Sequence, residues 1–281
     1  MMRISLIAER FLLPVLLLLL FAFDTAPVQA SFITMETQTS PTYDGKRFKM
    51  TVDVTNKGDE PAYNVQISAD INGQVISTPA KDSLQVNTKH SVQMANDLAL
   101  EKDGRYPVII NVDYTDANQY PFSAFAITHF NYRKNLPSQV FGTLRNIEIS
   151  TKGSLVLDLK NLGENEKNVS VRLVLPKELS SSGLSKTIAL KGKSEVKLSF
   201  EVKNFSALPG SNYSIFALMG YDEDDLHYSA SVSGSVKITK EQGFVKSNQR
   251  LLIVVAIVLG AAFVYFNLRS FLTRRSKSGI N

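Results

Sequence analysis

The chain has no cysteine, no tryptophan and only three histidines among its 281 residues. Without cysteine there is no disulfide framework, no thiol nucleophile and no cysteine-ligated zinc. His90, His129 and His227 fall in separate segments without an H-x-x-x-H spacing, so the familiar histidine metal motifs are missing. Each is read as a surface or strand-edge residue. There is no G-x-S-x-G elbow, no P-loop, and no S-x-x-K with a partner motif. The serine cluster Ser180, Ser181 and Ser182 before Gly183 has no adjacent base and reads as a flexible loop. The expectation is a protein without catalytic residues or a cofactor.

A basic surface is also missing. The chain has 31 Lys+Arg against 26 Asp+Glu. Removing the seven basic and two acidic residues of the two ends leaves 24 of each. A neutral central region argues against nucleic acid, which requires Lys and Arg concentrated on the folded part.

The ends suggest a membrane setting. Residues 1–30 have Arg3 and Arg10, a 13-residue apolar run over 11–23, and small residues at Val28 and Ala30. The run is short for a ~30 Å hydrocarbon core, so residues 1–30 are read as a signal peptide cut before Ser31. An uncleaved N-terminal anchor is the alternative. Residues 251–268 are 18 uncharged residues, which rise about 27 Å as a helix, enough to cross a bilayer with little tilt. Arg250 precedes them; Arg269, Arg274, Arg275 and Lys277 follow. The positive-inside rule then makes the basic tail, 269–281, cytoplasmic and residues 31–249 extracytoplasmic, periplasmic or extracellular. The tail would touch anionic headgroups. Ala256 and Gly260 form a small-xxx-small pair that suits a helix partner. The expected location is the plasma (inner) membrane, single-pass. Asn-x-Ser sequons stand at Asn168, Asn204 and Asn212 and matter only in a eukaryotic host.

Between the ends the chain repeats itself. VDVTNKGDEPAYNVQI at 52–67 is echoed by LDLKNLGENEKNVSV at 157–171, matching Asp53 to Asp158, Asn56 to Asn161 and Gly58 to Gly163. Tyr106 and Tyr114 are eight apart, as are Tyr213 and Tyr221. The offset is 105 residues from Asp53 to Asp158 and 107 from Tyr106 to Tyr213, about one small β-domain. Residues 48–54 and 65–71 alternate apolar and polar, the mark of strands with one buried face. Asn72-Gly73 predicts a tight hairpin. Further strands are expected at 32–38, 91–94, 105–114 and 122–132, then at 141–150, 154–159, 168–175, 195–202, 213–221 and 228–239. The fold class is therefore all-β: two tandem immunoglobulin-like β-sandwiches, 31–133 and 134–240, plus one C-terminal transmembrane helix. Residues 131–138 are the expected linker, stiffened by Pro137. The repeated Asn-x-Gly is read as a strand-ending turn. Tyr106, after Asp103-Gly104, resembles a tyrosine corner whose hydroxyl braces a loop carbonyl.

The pattern V-x-V-x-N-x-G-x-x-x-A-x-N-V-x-I followed by G-x-Y-x-V-x-x-x-V-x-Y-x-D is similar to CARDB-type immunoglobulin-like domains over roughly residues 40–235. The second copy departs from it: Glu166 stands where the first has Ala62, and Gly210 lies one residue further from its tyrosine. The resemblance implies a bacterial or archaeal envelope protein with spacer or docking modules. It carries over no catalytic residues.

Two clusters stand out as binding candidates. Asp222, Glu223, Asp224 and Asp225 place four carboxylates in one hairpin, a calcium candidate by ligand chemistry, though no EF-hand spacing is present. Tyr120 and Phe125 could stack on a sugar ring or a partner, although core packing explains such rings equally well. The functional expectation is a docking or scaffold element for a cell-envelope or export complex, with the lipid bilayer and an envelope or membrane protein as partners. The alternative is an adhesion module that binds a glycan or surface polymer.

Overall fold

The computed structural model describes residues 32–240 and 248–277, with helix side chains described through Phe263 and at Tyr265 and Phe266. The expected signal segment at 1–30 lies outside these residues. The first half forms β1 (Met35–Tyr43), β2 (Arg47–Asn56), β3 (Ala62–Ile71), β4 (Gln74–Ser77), β5 (Lys81–Leu84), β6 (Lys89–Asp97), β7 (Asp103–Thr115) and β8 (Pro121–Tyr132). The second forms β9 (Val140–Leu144), β10 (Ile147–Ile149), β11 (Lys152–Asn161), β12 (Lys167–Val174), β13 (Leu179–Ser180), β14 (Ser185–Leu190), β15 (Glu195–Asn204), β16 (Asn212–Glu223) and β17 (Leu226–Ile238). Helix α1 (Gln249–Lys277) follows.

Alternation builds two cores. In β2, Phe48, Met50, Val52, Val54 and Asn56 are buried at every second position. In β11 the same places are held by Leu155, Leu157, Leu159 and Asn161. The antiparallel sheet β1-β2-β6 covers one core together with β3, β7 and β8. The sheet β13-β15-β11-β9 covers the other, facing β12, β16 and β17. Each half is thus a two-layer sandwich with its own apolar centre.

The Asn-x-Gly repeat has the same local structure in both halves. The Asn56 amide donates to Glu60 O at 2.7 Å and Leu84 O at 3.2 Å, and its Oδ1 accepts from Gly58 N–H at 2.9 Å. Asn161 donates to Asn165 O, Leu190 O and Lys191 O and accepts from Gly163 N–H. Both asparagines are fully buried, and each ties a loop carbonyl and a strand-end carbonyl to the turn, so its own amide is satisfied. The hairpin after β3 also forms: Asn72 and Gly73 take positive φ, and Asp70 Oδ1 accepts from Gly73 N–H at 2.7 Å.

Two expectations are corrected and a third is not shown. The first strand lies at Met35–Tyr43, not 32–38; Pro41 is tolerated there because β1 is an edge strand. The strand expected at 141–150 breaks at Arg145-Asn146. Its first part pairs with β11 and its second, β10, crosses to pair in parallel with β17. The span expected at 251–268 is not established. Among the described residues no helix is long and apolar enough to cross a membrane.

Candidate functional site

The feature the repeat did not announce is the seam between the two sandwiches. Strands β7 and β8 use one face for their own core, and their other face meets the second sandwich. Val108 and Ile110 point into the first core, while Ile109 between them joins Val174 and Leu218 in a separate buried cluster. Ala217 and Met219 point into the second core, so Leu218 faces the seam. Phe125, Ile127 and Phe216 pack against this cluster. The two sandwiches are therefore docked by an apolar patch made of residues on their outer faces.

A polar latch lies on each side of the patch. At one, the hairpin of β7 and β8 reaches the second sandwich. The Tyr120 hydroxyl donates to Ser206 O at 2.5 Å. Glu178, 1 % exposed, accepts from Ser123 N–H at 2.9 Å and from the Ser123 hydroxyl at 3.1 Å. The same hydroxyl oxygen accepts from Lys177 N–H at 2.9 Å, and Lys177 Nζ sits 2.7 Å from Asp113. Burial pushes the Glu178 carboxyl above its ordinary range; the bonds it accepts oppose the shift and the Asp113 charge adds to it. Burial, with the Glu178 charge, likewise pushes Tyr213 up to about 12.

At the other latch the hairpin of β16 and β17 reaches the first sandwich. Leu226 and His227 pair in parallel with Asp103 and Gly104, which joins the two inner layers into one ten-stranded sheet. Gly104 has φ +146°, and a Cβ there would lie 1.9 Å from His227 O, so only glycine permits this approach. The His227 ring stacks on Tyr106 with centroids 4.3 Å apart. Asp222 bridges His227 Nδ1 at 2.7 Å and Lys102 Nζ at 2.9 Å. Partial burial raises the Asp222 pKa, but Lys102 and His227 outweigh it and hold the carboxyl below its usual range. Tyr106 donates to Lys102 O at 2.8 Å, the expected corner, and Ser229 donates to Arg105 O at 2.7 Å.

These contacts place the sequence candidates. Tyr120 is part of the first latch, and Phe125 packs on the apolar cluster. The four carboxylates are not brought together. Neighbours on a strand point to opposite faces, so Asp222 turns to Lys102 while Glu223 pairs with Lys167 at 2.6 Å. Asp224 and Asp225 form the turn with positive φ. Among the described residues no group of three His, Asp or Glu side chains is placed to hold a metal. Two histidines are not the simple surface residues expected. His227 sits in the latch, and burial together with Arg105 lowers His129 to about 4, leaving it neutral at pH 7. Among the described residues no free nucleophile stands beside the Asp222–His227 pair: Ser229 is bonded to a backbone carbonyl and the imidazole lies on a tyrosine ring.

The seam leaves two open clefts of about 820 and 560 Å³. Asp70, Ile109, Arg172 and Ser185 line both, and the Arg172–Asp70 pair, 3.8 Å apart, stands where the clefts meet.

Comparison with known proteins gives a family for part of the chain. Residues 30–118 match the CARDB family model. No curated protein matches. Among solved structures, a mutant Salmonella alpha-2-macroglobulin aligns at 12 % identity and TM-score 0.30, over 76 % of this chain and 17 % of that one. Trypsin-activated alpha-2-macroglobulin from Escherichia coli aligns at 12 % and 0.29, over 74 % and 18 %. Red sea bream transglutaminase aligns at 13 % and 0.25, over 74 % and 32 %. This chain thus spans less than a third of each of these proteins, and scores this low carry no argument. The family identification belongs to the first sandwich: residues 30–118 are a CARDB domain.

Proposed function

We propose that this chain is a non-catalytic, single-pass membrane protein that holds two docked Ig-like modules outside the cytoplasm as a scaffold for a cell-envelope or export complex. The seam is the observation that carries this reading. An apolar cluster and two latches fix the spacing of the modules, which suits a spacer or docking body. The CARDB domain at 30–118 supports a non-catalytic role. In this reading residues 1–30 direct export, 251–268 form the anchor and 269–281 are the cytoplasmic tail. The exposed apolar residues Leu251, Val254, Ile257, Val258 and Phe263 on α1 support an anchor. The adhesion reading is weakened, since Tyr120 and Phe125 are engaged within the molecule.

The test is crosslinking in intact cells, purification of the full chain and identification of linked proteins. A reproducible envelope or membrane protein, linked through residues of the two modules, is the expected result. Recovery of the chain alone, carrying glycan or polymer, would move the function to adhesion.

A further inference from the structure

The end of the second sandwich from which the chain departs toward α1 displays an apolar loop. Residues 205–211 join β15 to β16. Phe205 is 77 % exposed and Leu208 is 43 % exposed. The loop is firmly built. Glu178 O accepts from Phe205 N–H and Ser206 N–H, and the Asn204 side chain exchanges hydrogen bonds with Ala207 while donating to Ser150 O. Phe205 is therefore held outward from an ordered frame.

The position of this frame points to what it meets. Gly210 N–H donates to Ile238 O at 2.7 Å, Ile238 N–H donates to Ser211 O at 2.9 Å, and Thr239 N–H donates to Ile149 O at 2.8 Å. The loop thus lies beside the last residue of β17. Ten residues, 239–248, separate Ile238 from α1, a reach of at most ~35 Å even when fully extended. Lysines surround the same end: Lys152, Lys177, Lys203 and Lys237 each have a side chain about half exposed or more, and Lys240 is exposed. Among the described residues three carboxylates answer these five lysines, because Lys152 and Lys203 share Glu201. The opposite end of this sandwich displays the acidic turn of Asp224 and Asp225.

We propose that residues 205–208 are a membrane-contacting foot: Phe205 and Leu208 enter the headgroup layer of the leaflet from which α1 emerges, with the lysines against anionic lipid. The inference rests on the anchor reading above. Aromatic rings favour the membrane interface, and lysines near an anionic surface are attracted to it. Tethering by α1 makes the contact intramolecular, so two apolar side chains suffice where a free protein would need more. The foot would fix the tilt of the docked modules relative to the membrane.

The natural absence of cysteine permits a direct test on the full chain. Phe205→Cys, Leu208→Cys and, as a control, Val75→Cys (native Val75 is 65 % exposed) are labelled with an environment-sensitive fluorophore. Each is reconstituted into phosphatidylcholine vesicles containing phosphatidylglycerol. Flotation after an alkaline wash reports the anchor independently. The expected result is a chain that floats, with blue-shifted emission and quenching by headgroup nitroxides at 205 and 208 but not at 75. Adding Phe205→Glu to Leu208→Cys should return the 208 probe to solvent-like emission. A chain that floats with all three probes solvent-like would overturn the foot and leave the anchor standing. A chain that fails to float would remove both.

Discussion

The two latches hold the same seam with opposite electrostatics. Around Glu178 the carboxylate is 1 % exposed and is stabilised by hydrogen bonds from Ser123. Around Asp222 the side chain is 47 % exposed and faces a lysine and a histidine. Burial raises one carboxyl and ion pairing lowers the other. The hairpins are equivalent in the two repeats, yet one became a buried hydrogen-bonded anchor and the other a surface ion pair. What a latch contributes is set by how much water its neighbours exclude.

The largest effect should come from between the latches. Leu218→Asp places an unpaired charge in the apolar cluster and should cost about 3 kcal/mol or more in urea unfolding. A loss under about 1 kcal/mol would mean that the patch is not closed. Next is Glu178→Ala, which leaves Ser123 N–H and its hydroxyl without their acceptor and should cost about 2–3 kcal/mol. Lys102→Ala in the exposed latch should cost far less than Glu178→Ala, and 0.5 M salt should reduce the cost further. If Lys102→Ala destabilised as much as Glu178→Ala, the contrast between the latches would fail.

Acidity separates them by sign. The raised folded value of Glu178 means that its stabilising contribution is fully present below the unfolded carboxyl value, ~4.3, and is lost as pH rises through the folded value. The lowered value of Asp222 means that its contribution is present above ~3.9 and is lost as pH falls through the folded value. Glu178→Gln should therefore remove a loss of stability seen on raising the pH, and Asp222→Asn a loss seen on acidification. Unfolding free energies measured across pH 3–8 would distinguish the two variants by slope.

Much of this was readable in the chain. Alternation located most of the core strands, because a half-buried strand must alternate, and the Asn56 and Asn161 repeat located two equivalent corners. The seam was harder to see, since its residues sit at positions where alternation normally puts solvent. A signal existed: Val108-Ile109-Ile110 and Ala217-Leu218-Met219 are consecutive apolar runs, as expected for strands covered on both faces. The latches left no such trace. Ser123 and Glu178 are 55 residues apart, and Lys102 and Asp222 are 120 apart. Adjacent carboxylates at 222–225 suggested one site, but the pleat sends Asp222 and Glu223 to different partners.

The docked seam is tested most directly by a distance measured across it. Spin labels at Val75→Cys and Leu184→Cys, one on each sandwich and both exposed in the native chain, can be placed on the otherwise cysteine-free full-length protein. Double electron–electron resonance should give a single narrow distance distribution that broadens in Leu218→Asp. A broad distribution in the parent protein, unchanged by Leu218→Asp, would show two independently moving modules and contradict the docked pair.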